Sequence, residues 1–184
     1  VSQANKNLLV ISTFPRSGST FLNSAINSLY YKGEPSMNYH TANSLNRSEK
    51  IIVPFRNPEE SIASWHIFPH KDKSTLDMDI RYYLRFYTEV LNKKEKVVLL
   101  DFHKFTKDLN YIKDKISNNF GVRPISETSI EEIKNSMLSS GKEINLPRNN
   151  ANELQNIKNN LVNHKDFNNC LEVYSNLLKI SEQQ

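Results

Sequence analysis

Three short strand-like runs, Leu8–Ile11, Lys50–Phe55 and Lys96–Phe102, are separated by stretches in which apolar residues recur at helical spacing. This alternation constrains the fold more than any other feature of the chain. The cores of the runs are continuously apolar rather than alternating, as suits strands buried on both faces. Strands that alternate with helices predict a parallel sheet with right-handed crossovers, and such sheets bind ligands at the carboxyl ends of their strands. With 184 residues, one domain spanning 1–184 is expected, with helices on both faces of a central sheet.

The helices are read from their periodicity and end signals. Phe21, Leu22, Ala25, Ile26 and Leu29 mark the first. Asn57 as N-cap, Pro58 at the first helical position and Glu59–Glu60 in the first turn start a second, which Pro69 closes. Leu76, Ile80, Tyr83, Leu84, Tyr87 and Leu91 share a face of a third, from Thr75 to Leu91. A fourth spans Phe105–Phe120 and ends at Gly121. Further helices are expected over Ile130–Leu138, Ala151–Val162 and Phe167–Ile180, and a short strand over Ser36–His40.

Between the first strand and the first helix lies Thr13-Phe14-Pro15-Arg16-Ser17-Gly18-Ser19-Thr20-Phe21, which reads as an anion cradle. The first N–H groups of a helix have no partner within it and carry partial positive charge. Gly18 lets backbone approach a ligand, the hydroxyls of Ser17, Ser19 and Thr20 add donors, and Arg16 adds a full charge with a planar fork. The stretch lacks the GK[ST] ending of a Walker A loop. Arg56 follows the second strand, so both arginines are expected on one rim of the sheet.

Composition narrows the classes. A net charge of +4 with 24 basic and 20 acidic residues suits an anionic ligand, but no RNP, KH or zinc-finger pattern points to nucleic acid. One cysteine, Cys170, excludes an intramolecular disulfide, and a buried structural thiol is expected there. The five histidines have no metal-ligand spacing, so no metal site is expected. No apolar run is long enough to cross a bilayer; a cytoplasmic location without membrane partners is expected.

Taken together, Thr13–Phe21 and Val53–Trp65 resemble the two nucleotide motifs of the sulfotransferases that use 3'-phosphoadenosine 5'-phosphosulfate (PAPS). The first is similar to their 5'-phosphosulfate loop, TYPKSGTTW. The second is similar to their 3'-phosphate segment, with Ser64 eight positions after Arg56. The resemblance implies the P-loop NTPase-like sulfotransferase fold, PAPS as donor and PAP, its desulfated nucleotide, as product. It implies that Arg16 holds the 5'-phosphosulfate where the family often has Lys. By the same resemblance Ser17, Gly18, Ser19 and Thr20 contact the 5'-phosphate, Phe21 stacks on adenine, and Arg56 and Ser64 bind the 3'-phosphate. Gly141, Lys142 and Arg148 stand where the family's late basic loop completes the pocket.

The implied reaction is metal-independent in-line transfer of a sulfuryl group to a hydroxyl of a carbohydrate or small-molecule acceptor. His40 is the first choice for the base that removes the hydroxyl proton, with Glu34 as its rival. Two other classes stay open. Val97–Asp101 resembles a Walker B strand, which would suit a P-loop kinase or NTPase that needs magnesium. A non-enzymatic polyanion- or nucleic-acid-binding module is the other.

Overall fold

A computed structural model describes residues 9–31, 37–46, 50–68, 74–140 and 151–184. Among the described residues, four parallel strands form the sheet in the order β2-β1-β3-β4: β1 (Leu9–Ser12), β2 (Met37–Tyr39), β3 (Lys50–Phe55) and β4 (Val97–Asp101). The register pairs Val10 with Met37 and Ile51 on either side, and Ile51 with Val97. A helix-bearing connection leads from β1 to β2 on one side, whereas β3 leads to β4 on the other. The carboxyl ends of β1 and β3 therefore flank a topological switch point, where open parallel sheets form their ligand crevice.

Eight α-helices are present among the described residues: α1 (Ser19–Tyr30), α2 (Pro58–His66), α3 (Leu76–Asn92), α4 (Phe102–Phe105), α5 (Leu109–Phe120), α6 (Ile130–Ser139), α7 (Ala151–Val162) and α8 (Phe167–Gln183). They form two layers. Leu9, Ile11, Ile52, Val98 and Leu100 point to one face and pack with α1, α5 and α6. Ile51, Val53, Phe55, Val97 and Leu99 point to the other and pack with α2, α3, α7 and α8. The two-residue period of a strand divides each apolar run between both layers, which is why the runs are continuous in sequence. The expected three-layer α/β architecture is present.

Most helix ends follow their sequence signals. The Asn57 side chain accepts the Glu59 N–H at 2.9 Å, Pro58 opens α2, and Gly121 ends α5 in a left-handed conformation at φ 65°. Two features of the helices differ most from expectation. The single helix expected over Phe105–Phe120 is two, because Asp101 and Asp108 each cap a separate start through the N–H two residues on, at 2.9 Å in both cases. In α3, Phe86 and Val90 are fully buried with Ile80, Tyr83 and Tyr87, while Leu84 and Leu91 lie at the margin. Ser36 lies outside the described residues, as do Glu34, Gly141, Lys142 and Arg148.

Candidate active site

The turn from β1 into α1 is held from several directions. Thr13 donates its N–H to the Tyr39 carbonyl at 2.9 Å and its hydroxyl to the Phe14 carbonyl at 2.6 Å, and Ser17 N–H reaches the same carbonyl at 3.3 Å. Arg16 sits at φ 68° and Gly18 at φ 90°. A non-glycine residue in the left-handed region costs about 1–2 kcal/mol, a strain that concentrates at functional turns. Gly18 has a second constraint. A Cβ there would stand 2.6 Å from Phe102 Cδ2 and 2.8 Å from Phe105 Cζ. Gly18 occupies the N-cap position of α1 with no side chain capping the helix, so the first N–H groups face the turn without the usual serine or aspartate.

A cavity of about 630 Å³ opens on this helix start. It is lined by the cradle residues Pro15, Arg16, Gly18, Ser19, Thr20 and Phe21, and by His40 at the end of β2. Trp65 and Phe68 contribute a stacked aromatic pair with centroids 5.8 Å apart and planes inclined by 24°. The Arg16 guanidinium lies 5.0 Å from the Phe68 ring centroid. Phe102 and Thr106, from the chain just after β4, and Lys134 and Met137 of α6 complete the lining. The arrangement joins positive charge and a helix N-terminus to aromatic surface, as a ligand with both phosphate groups and an apolar ring requires.

In the second segment Trp65 lines the cavity, whereas Arg56 and Ser64 converge on Arg16 without lining it. Arg16 Nε donates to Ser64 Oγ at 3.1 Å, and Arg56 Nη1 donates to the Arg16 carbonyl at 3.4 Å. Arg56 also pairs with Glu60 at 2.7 Å and stacks 4.3 Å from the Phe102 centroid, so its guanidinium is fixed on two sides. His103 Nε2 approaches the same Glu60 carboxylate at 3.6 Å. Residues forty and forty-eight positions apart in sequence are thereby brought to one point.

His40 lines the mouth of the cavity with part of its surface in solvent. Packing around the imidazole pushes its pKa below the ordinary value of 6.5, and hydrogen bonding to the Thr13 backbone opposes the shift. Its carbonyl accepts a hydrogen bond from the Tyr82 hydroxyl, which ties the end of β2 to α3. A ring held neutral near pH 7 can accept a proton.

Ser17 departs from the expected role. Its residue is fully buried, its hydroxyl meets the Tyr87 hydroxyl at 3.0 Å, and its N–H is turned to the Phe14 carbonyl. It braces the cradle from behind rather than facing the cavity. Phe21 lines the cavity but is only 9% exposed, stacked on Phe105 at 6.1 Å. Asp101, the residue that resembled a Walker B acid, caps α4 and does not line the cavity. Phe102, Thr106, Lys134 and Met137 were missed by sequence reasoning. For Phe102 a signal existed, since it stands directly after a parallel strand's carboxyl end; the two α6 residues carried none.

No protein-family model and no curated protein sequence matches the chain. Among solved structures, the crystal structure of mouse sulfotransferase SULT7A1 complexed with PAP is similar at a TM-score of 0.45 and 15% identity. The overlap covers 80% of this chain and 69% of that one. So distant a likeness assigns no ligand.

Proposed function

We propose that this chain is a sulfotransferase that takes PAPS as donor and passes its sulfuryl group to a hydroxyl acceptor. The observation that carries the reading is the convergence of Arg56 and Ser64 on Arg16 at the switch point, beside an uncapped helix start and an aromatic cavity. The glycine at position 18 fits a cradle for a phosphate group, because no Cβ obstructs the turn and none could be accommodated.

In this reading the N–H groups at the start of α1, with Ser19 and Thr20, hold the 5'-phosphate. Arg16 neutralises the charge that develops on the leaving oxygen; being permanently protonated, it acts by charge and hydrogen bonding alone. Arg56 supplies the cation for the 3'-phosphate, with Glu60 and Phe102 orienting its guanidinium. Phe21, Phe102 and Met137 provide apolar surface for the base. PAPS supplies the sulfuryl group. His40 takes the acceptor's hydroxyl proton as the new oxygen–sulfur bond forms and the bond from sulfur to the phosphate oxygen breaks. Trp65 and Phe68 form the wall against which a carbohydrate or small-molecule acceptor would rest.

The test is transfer of labelled sulfate from PAPS to a panel of hydroxyl acceptors in excess chelator. Label in an acceptor, with stoichiometric release of PAP, is expected. A strict magnesium requirement together with γ-phosphate transfer from ATP would overturn the reading in favour of a kinase.

A further inference from the structure

Behind the cradle lies a buried chain of hydroxyls that the proposed chemistry does not use. We propose that Tyr87, assisted by Tyr83, is a positioning residue that fixes the cradle relative to the Arg56 segment, so that one ligand with two phosphate groups engages both. This inference rests on the PAPS reading above.

The need for such a device follows from the sheet. Direct pairing of β1 with β3 runs through Ile11 and Ile52. Past that point the first strand turns away as the cradle, while β3 continues to Phe55 and then Arg56. The two charged segments thus lie where the ladder between their strands has stopped. Tyr87 bridges them there: its hydroxyl donates to the Pro54 carbonyl at 3.1 Å and meets Ser17 Oγ at 3.0 Å. A phenol has one hydrogen to give, so with Pro54 as its acceptor the Ser17 hydroxyl must donate to Tyr87. The order is Ser17 to Tyr87 to Pro54, from the cradle to the end of β3.

Tyr83 repeats the arrangement one helical turn earlier on α3, donating to the Arg56 carbonyl at 3.3 Å. The two rings are fully buried, their centroids 4.7 Å apart, and Phe14 of the cradle packs on both at 5.3 and 6.1 Å. Burial pushes both phenols well above the ordinary tyrosine range, so both keep their protons at any working pH. One helix, α3, therefore holds both loops, beside the contacts that Arg16 and Arg56 make between them.

The prediction concerns a ratio of affinities. A ligand with one phosphate group tolerates a change in the spacing between the segments; a ligand with two does not. Calorimetric Kd values for PAP and AMP are measured on the wild-type chain, Tyr87→Phe, Ser17→Ala and the double variant, with thermal melts of each. Tyr87→Phe is expected to weaken PAP binding about tenfold while AMP binding stays within about twofold, the loss expected for one buried hydrogen bond felt through a second contact. The double variant should lose no more than Tyr87→Phe alone, because both substitutions break the same chain. Tyr83→Phe removes only the bond to the Arg56 carbonyl and should shift the ratio in the same direction, which keeps the test available if Tyr87→Phe does not fold. A wild-type preference for PAP that persists unchanged in the tyrosine variants, even with lowered melting temperatures, overturns the inference alone. Equal wild-type affinities for PAP and AMP overturn the PAPS reading and this inference with it.

Discussion

Replacing Gly18 with alanine should disturb the site strongly. The new Cβ would lie 2.6 and 2.9 Å from Phe102 carbons and 2.8 Å from Phe105, all well inside contact distance. Phe105 yields only by opening the core, and Phe102, half-buried at the cavity wall, only by moving off Arg56. Phe105 is fully buried in the layer with α1, and Phe102 supports the Arg56 guanidinium at 4.3 Å. The left-handed backbone adds about 1–2 kcal/mol for any residue with a Cβ, and forcing a methyl into packed surface adds about 1–3 kcal/mol. Together these give a destabilisation of about 2–5 kcal/mol, a large part of the 5–15 kcal/mol typical of a folded domain. Gly121→Ala is the internal control, because that glycine is also left-handed at φ 65° but has nothing within 4 Å of the added Cβ. It should cost only the backbone share and leave nucleotide binding intact. Urea unfolding of both variants, followed by PAP titration of whichever remains folded, measures the difference. A Gly18→Ala protein no less stable than Gly121→Ala, and still binding PAP normally, would refute the argument that this position is closed by both conformation and contact.

His40 and Cys170 carry the remaining predictions. His40→Ala should reduce turnover by about 10²–10⁴-fold, the usual contribution of a general base, while PAP affinity stays within about twofold. In the wild-type chain the acid limb of kcat should report a group below the ordinary histidine value of 6.5. The folded state disfavours the protonated ring, so the stability linked to His40 is present above pH 6.5 and is lost as pH falls from there toward the lower folded value. An acid limb that survives in His40→Ala would assign it to another group. Cys170 is fully buried, and burial with Asp166 nearby pushes its thiol up to about 12. It should resist alkylation at neutral pH in the native chain and react only in denaturant; rapid native labelling, followed by mass spectrometry, would contradict that placement.

The sheet and most helices were legible because their signals are local or periodic. Ile51–Phe55 is apolar without interruption and became the body of the interior strand β3; Asn57-Pro58-Glu59 carries its own cap and became the start of α2. The convergence of Arg16 with Arg56 was readable from the rule that parallel strands present ligands at their carboxyl ends. Three things were not readable. That the Ser17 hydroxyl turns inward depends on Tyr87, seventy positions later, and no local pattern distinguishes a bracing serine from a binding one. The break between α4 and α5 depends on Asp101 and Asp108 competing as caps within an otherwise helical period. The cavity wall from α6 arises because Lys134 and Met137, one turn apart, are brought beside α1 by packing across the layer.

The central claim is that Arg16 and Arg56 serve two different phosphate groups of one nucleotide. Calorimetric titration of the wild-type chain and Arg56→Ala with PAP and with AMP tests it most directly. A charged hydrogen-bonded contact contributes about 1.5–3 kcal/mol, so the wild-type chain should bind PAP about 10–100 times more tightly than AMP. Arg56→Ala should erase that preference and leave AMP affinity nearly unchanged. Equal binding of the two nucleotides by the wild-type chain, or a preference for PAP that persists without Arg56, would contradict the claim.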